Sequence, residues 1–313
     1  MSNKRIIITG PDSMIGKAIR KEAEEKGHVV YPVTHSEHDL CSYDETASVF
    51  KETSPDYCIH LASLNGNISF NNKYPSDIFY TTSQIGLNVL NCCQRFGVKK
   101  VVSLISSCAY PDTGGLLKER NFWDGEPNPT VDAHGFSKRL LLEYSRQLYK
   151  QHGLVSVGVV VNTCYGPHDN FDINKTKVMG GLIKRFIDAE KNEDPEVVCW
   201  GTGSPRREFI YSDDVGKHTV GVLEKYNDPN YPINIGCGKD VSIKELAEMI
   251  KQEVGYQGSL IWDDSRPDGQ MRKLLDNTKM KRHFGELSFT PLHAGIHKTI
   301  KWYKEYGSVD SNS

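Results

Sequence analysis

Ser106 and Cys108 close a β-branched run, and His134 stands four residues before Lys138. Four residues make one helical turn, so the imidazole and the ammonium would share a face. A strand end puts Ser106 and Cys108 at the carboxyl edge of a sheet, where open α/β folds bind ligands. An imidazole in such a place can give a proton to a developing alkoxide. With an unperturbed pKa of about 6.5 it would be roughly one quarter protonated at pH 7, and a nearby Lys138 lowers that fraction. A neutral ring could still donate a hydrogen bond, or relay a proton through water from Ser106 or solvent.

A second site-like segment, Gly10-Pro-Asp12-Ser13-Met14-Ile15-Gly16, lies between a strand and a helix. Glycines there let the backbone approach a pyrophosphate, and the helix start offers unpaired N–H groups. By itself this turn is weak evidence for a dinucleotide.

These residues need a scaffold, and the pattern supplies one. Lys4 to Thr9, His28 to Val33, Tyr57 to Leu61, Val101 to Ser106 and Val155 to Val161 read as strands. Between them, Ile15 to Ala23, Ile85 to Phe96 and Lys138 to Gln151 read as helices, each followed by a glycine stop. Strands alternating with such helices pair in parallel with right-handed crossovers. The fold class is therefore α/β, with a Rossmann-type doubly wound parallel sheet over 1–166 and a return segment at about 209–238 that includes a strand at Ile233 to Gly236. The regularity weakens after Pro167, so 167–208 and 239–313 are assigned to a smaller α/β substrate-binding lobe.

At 313 residues the chain can bury a large core. Its net charge of −2, with cations spread along the chain, leaves no footprint for nucleic acid. No stretch approaches the ~20 apolar residues of a membrane span, and the amino terminus lacks a signal-peptide core. The eight cysteines show neither metal spacing nor a secreted framework, so we expect reduced thiols in a cytoplasm and no metal.

The run Tyr165-Gly-Pro-His168-Asp169-Asn-Phe171, together with Trp200-Gly-Thr-Gly-Ser-Pro-Arg206-Arg207-Glu-Phe209, resembles the GDP-fucose synthase family of the short-chain dehydrogenase superfamily. The resemblance extends from the first strand to Asp276. It implies reduction of a 4-keto sugar carried on GDP. Ser106 would hydrogen-bond the ketone, Lys138 would hold the nicotinamide ribose, and Cys108 would exchange protons beside the ketone. Lys184, Arg185, Trp200, Arg207 and Asp268 would grip the nucleotide. That set is chemically apt, since cations answer a diphosphate, Trp offers an aromatic face, and a carboxylate binds hydroxyls or a guanine edge. Asp268 lies in Arg266-Pro-Asp-Gly269, and Ser69 to Pro75 keeps the family's Asn-Asn-x-Tyr-Pro loop.

Five departures qualify the likeness. His134 replaces the family's proton-transfer Tyr, and Lys177 replaces the His that is the partner of the Cys in epimerisation. A lysine is charged at neutral pH, so it is a poor base but an adequate acid or cofactor-phosphate partner. Ser13 replaces a glycine of the dinucleotide turn, and Asn162-Thr163 inverts the family's order. The family's NADP-selecting arginines are also missing, Asp12 and His35 standing in their places. Resemblance favours NADP(H), while the residues leave NAD(H) open. The expected function is an NAD(P)H-dependent reductase of a GDP-linked 4-keto deoxysugar or heptose without full 3,5-epimerase activity. Its rivals are a bifunctional epimerase-reductase and a silent dinucleotide- or GDP-sugar-binding regulatory protein. The family also implies a homodimer, paired through helices Ile85 to Phe96 and Lys138 to Gln151.

Overall fold

The computed structural model describes residues 3–172, 175–265 and 268–307. Six strands form one parallel sheet, ordered Ile233–Ile235, Val155–Val161, Lys100–Ser106, Tyr57–His60, Arg5–Thr9 and Val29–Val33. The chain runs from the first strand to one edge and then returns to the other side. That reversal opens a crevice beyond the carboxyl ends of Arg5–Thr9 and Tyr57–His60, the place where such sheets take ligands.

The first strand shows why the sheet is covered on both faces. Ile7 packs with Phe50, Leu90 and Leu141 from helices Tyr43–Thr53, Pro75–Arg95 and Asp132–His152. Its neighbours Ile6 and Ile8 point the other way, toward Ile19, Val215 and Met280 of helices Met14–Glu25, Ser212–Lys225 and Thr278–Phe284. Alternation with a period of two thus becomes two cores, and the uninterrupted apolar run reflects a strand buried on both sides.

A third core gathers Tyr165, Phe186, Leu246 and Ile296 around helices Val178–Asn192, Ile243–Val254 and Leu292–Tyr306. Beside it Arg206–Arg207, Arg272–Leu275 and Gly115–Leu117 form adjacent strands of a small sheet, with Lys273 in register with Arg207. This register carries basic side chains toward the open edge of the main sheet.

Two helices start earlier than the apolar pattern suggests. The helix expected from Ile85 begins at Pro75, a residue whose fixed φ suits a first helical position. The helix expected from Lys138 begins at Asp132 and therefore contains His134. Helix Tyr43–Thr53 is an addition, capped by Ser42 accepting from the Glu45 N–H at 3.3 Å. No helix among the described residues is long and apolar enough to cross a membrane.

Candidate active site

The turn after the first strand tests whether a dinucleotide fits. Gly10 has φ +70°, in the left-handed region that favours glycine. A Cβ on Gly16 would lie 2.2 Å from the Gly10 carbonyl oxygen, so the helix can start this close to the strand only with glycine there. Ser13 does not block the turn. Its hydroxyl donates to the Gly10 carbonyl at 2.9 Å and accepts from the Gly16 N–H at 3.1 Å, capping helix Met14–Glu25. No acidic side chain occupies the first turn of that helix. This cradle suits a pyrophosphate. Asp12 and His35 are both exposed, and neither lines the cavity described next.

A cavity of about 480 Å³ joins the turn to the chemistry. Ser13, Met14 and Ile15 line one part, and Ser106, His134, Lys138 and Lys177 line another. Ser106 ends its strand and caps a short turn, its hydroxyl oxygen accepting from the Cys108 N–H at 3.2 Å. The hydroxyl proton can therefore be offered to a carbonyl. Helix Asp132–His152 approaches this turn closely at Gly135, where a Cβ would meet the Cys108 carbonyl oxygen at 2.7 Å. Arg139 fastens the same contact by donating to the carbonyls of Ala109 at 2.7 Å and Phe122 at 3.1 Å. The packing brings His134 and Lys138 to the end of the Ser106 strand.

The electrostatics revise the role of His134. Burial, with Lys138 and Lys177 as additional causes, pulls its pKa down to about 3, so the ring is neutral at pH 7 rather than one quarter charged. Its Nδ1 is sealed from solvent and has no hydrogen-bond partner among the described residues. Burial also lowers Lys138 to about 8. His60, at the neighbouring strand end, is held neutral in the same way and pairs its Nδ1 with the Thr9 hydroxyl at 2.8 Å.

Cys108 lies beside a different group. Lys273 Nζ is 3.9 Å from its Sγ, and the charge of Arg207 interacts with both Cys108 and Asp268. Sequence reasoning passed over Lys273, although the strand Arg272–Leu275 delivers it beside Cys108. All eight cysteines are free.

The residues expected to grip the nucleotide, Lys184, Arg185, Trp200, Arg207 and Asp268, do not line this cavity and form a separate, more exposed rim. Lys184, on helix Val178–Asn192, pairs with Asp188 at 3.0 Å, and Arg185 donates to the Val198 carbonyl at 3.2 Å while its guanidinium lies 5.4 Å from the Trp200 ring centre. Trp200 is 63% exposed. Asp268 accepts from both the backbone and the hydroxyl of Thr202, at 3.0 and 2.6 Å, and so anchors the loop after Trp200. Arg266 and Pro267 lie outside the described residues.

Two further residues prove more structural than their motifs suggested. Asn71 is buried and donates to Asn65, Gly66 and Asn67, bracing its own loop. Asn162 lines the cavity but is tied, accepting from Ser107 at 3.1 Å and donating to the Lys273 carbonyl at 3.1 Å. Among the described residues no cluster of His, Cys, Asp or Glu could hold a metal ion.

Comparison with known proteins agrees with this geometry. Residues 6–236 match the model of the NAD dependent epimerase/dehydratase family. GDP-L-fucose synthase 1 of Arabidopsis thaliana is 36% identical over 310 residues, covering 97% of this chain and 94% of the relative. A GDP-L-fucose synthetase from Naegleria fowleri bound to NADP superposes with TM-score 0.89 at 26% identity, covering 99% of this chain and 97% of that one. A GDP-mannoheptose C4 reductase from Campylobacter jejuni with NADP bound gives TM-score 0.88 at 28% identity, covering 97% and 99%. With its glycine turn, its Ser–His–Lys strand edge and this near full-length likeness, the chain belongs to the GDP-L-fucose synthase family, nucleotide-sugar oxidoreductases of the extended short-chain dehydrogenase/reductase superfamily.

Proposed function

We propose that this protein is an NADPH-dependent reductase of the C4 ketone of a GDP-linked 4-keto deoxysugar or heptose, and that it lacks full 3,5-epimerase activity. The observation that carries this reading is the single cavity running from the Ser13–Ile15 helix start to Ser106, His134 and Lys138. NADP(H) is preferred because both solved relatives described above hold NADP.

When bound, the nicotinamide supplies the hydride. The chain supplies the rest. Ser106 donates its hydroxyl proton to the ketone oxygen as a hydrogen bond, which favours the negative charge that develops there. His134, neutral, gives the proton from a ring N–H. Lys138 fixes the cofactor ribose. Lys177 enters the cavity from the start of helix Val178–Asn192, where its positive charge suits a cofactor phosphate or a substrate oxygen. Lys184, Arg185, Trp200 and Arg207 hold the GDP, with Asp268 setting the loop that carries Trp200.

The bifunctional reading keeps one specific support, the cation of Lys273 3.9 Å from the Cys108 sulfur, which suits a proton-exchanging thiol. Incubation with a 4-keto GDP-sugar in deuterated water separates the two. The reductase leaves C3 and C5 unlabelled beyond background exchange, whereas enzyme-dependent deuterium at both carbons supports the bifunctional reading. A second copy of the chain fits helices Pro75–Arg95 and Asp132–His152, which expose Phe79, Tyr80, Phe136, Leu140 and Tyr149.

A further inference from the structure

A second cavity, of about 530 Å³, shares no lining residue with the active site. Its wall includes Lys118, Arg120, Tyr231, Asp276, Lys279 and Arg282, none of which has a task in the scheme above. The volume lies in the range that takes a small molecule.

The wall is tied together from behind. Strand Gly115–Leu117 pairs in parallel with Arg272–Leu275, Leu117 in register with Leu275, and the Asp276 N–H extends the ladder by donating to the Leu117 carbonyl at 2.9 Å. Lys118 and Asp276 thus leave the two strands side by side. Asn234, fully buried, donates its side-chain amide to the carbonyls of Leu117 at 2.9 Å and Asp276 at 3.1 Å, and its backbone N–H to the Glu119 carboxylate at 3.1 Å. Tyr110 in turn donates its hydroxyl to the Asn234 side-chain oxygen at 2.8 Å. This network fixes the cavity in advance, which keeps the cost of ordering it around a ligand small.

The acids of the cavity are already engaged. Glu119 holds the Asn234 N–H, Asp276 accepts from the Thr278 N–H at 2.8 Å, and Asp228 accepts from the Asn230 N–H at 2.9 Å and the Tyr226 hydroxyl at 3.2 Å. Lys279 is engaged too, donating to the carbonyls of Tyr231 at 3.4 Å and Pro232 at 3.2 Å, 3.7 Å from the Asp228 carboxylate. Lys118, Arg120 and Arg282 differ. The charges of Lys118 and Arg120 act on Asp276, yet among the described residues none of these three side chains makes a hydrogen bond or an ion pair. Beside them the Tyr231 ring is 47% exposed and offers apolar surface.

We propose that this cavity is a second ligand site, which takes the phosphate monoester of a ring compound, either a nucleotide or a sugar phosphate. Three unpaired cations match the double charge of a phosphate monoester better than the single charge of a carboxylate. Two of them are guanidinium forks, whose N–H groups pair with phosphate oxygens two at a time. The cavity is far larger than a phosphate group, so the remaining space and the Tyr231 ring receive the body of the ligand. No turnover enters this inference, and it stands apart from the reductase reading.

Calorimetric titration with UMP and with glucose 6-phosphate tests it, with GDP and NADP present throughout to fill the other sites. At least one ester should bind; UMP alone marks a nucleotide site, glucose 6-phosphate alone a sugar-phosphate site, and equal binding supports recognition through the phosphate. Uridine and glucose should not bind. Arg120→Gln combined with Arg282→Gln should weaken the affinity roughly tenfold or more, because two charge-assisted contacts are lost. Lys177→Gln, in the active-site cavity, should leave it unaltered. Footprinting of the wild-type protein needs no variant: phenylglyoxal, read by peptide mass spectrometry, should modify Arg120 and Arg282 more slowly when the ester is bound. Failure of both esters to bind with a Kd below about 1 mM would overturn the proposal. So would an equal loss of affinity in Lys177→Gln, or modification of the two arginines at an unchanged rate.

Discussion

The buried cavity end and the exposed rim that carries Lys184, Arg185, Trp200 and Asp268 are built on opposite terms. At the cavity end His134 and Lys138 are almost completely buried, and His134 Nδ1 has no hydrogen-bond partner among the described residues. At the rim the charged side chains already hold other parts of the protein: Lys184 holds Asp188, Arg185 holds Val198 and stacks on Trp200, and Asp268 holds Thr202. The first end is set for chemistry at a cost in stability, since buried polar groups without partners are unfavourable. The second is stable without ligand and must exchange partners to bind one.

Burial of histidines, at the cavity end and elsewhere, predicts that acid will destabilise the fold. His60, His134 and His218 have folded-state pKa values of about 3, 3 and 4, below the unfolded value of about 6.5. The unfolded chain binds more protons, so the stability these residues allow is full above pH 6.5 and is lost as pH falls toward 4. Between pH 6.5 and 5 each contributes a loss of about 2 kcal/mol. Asp169, raised to about 6, works in the opposite direction and offsets about 1 kcal/mol over that span. Urea unfolding at pH 7 and pH 5 should show a clearly lower midpoint at pH 5. Equal midpoints would mean that the histidines are not buried as described.

Next in size is His134→Ala, which should lower kcat by roughly 10²-fold or more, the usual scale of lost general acid–base catalysis. Calorimetry should find its GDP affinity unaltered, because the rim is untouched. Arg207→Ala should do the converse, weakening GDP binding by more than roughly 1 kcal/mol through loss of a charge-assisted contact. UDP and dTDP should bind more weakly than GDP in the same experiment; equal affinities would remove the basis for a GDP site. Trp200→Ala should be the mildest, at about 0.5–1 kcal/mol of GDP affinity, because Trp200 is largely exposed and solvent screens its contact with Arg185.

The sheet was legible because each strand is an apolar run ended by a turn residue, and the edge strand at Ile233 is part of the same pattern. Helix Tyr43–Thr53 was missed although Ser42-Tyr-Asp-Glu45 carries a capping signature, since few of its residues are apolar. The first ten residues of helix Pro75–Arg95 were missed because polar Thr82 occupies a buried position that a hydrophobic pattern reads as surface. In the site, motif position singled out Ser106, His134 and Lys138, and these three line one cavity. Burial could not be read from sequence, and burial decides the charge of His134. Lys273 and Asp169 were overlooked as chemical groups for the same reason. Each depends on a long-range approach, one to Cys108 across 165 positions and the other into the cavity that His134 also lines.

The central claim is hydride delivery to a sugar C4 ketone, and one labelling measurement addresses it. The protein is incubated with a GDP-linked 4-keto-6-deoxy sugar and NADPH that carries deuterium at the transferable position of the nicotinamide, and the product is read by proton NMR. The account predicts one deuterium at C4 of the sugar and none at C3 or C5. Oxidation of the cofactor without deuterium at C4, or no oxidation with any GDP-linked 4-keto sugar, would contradict it.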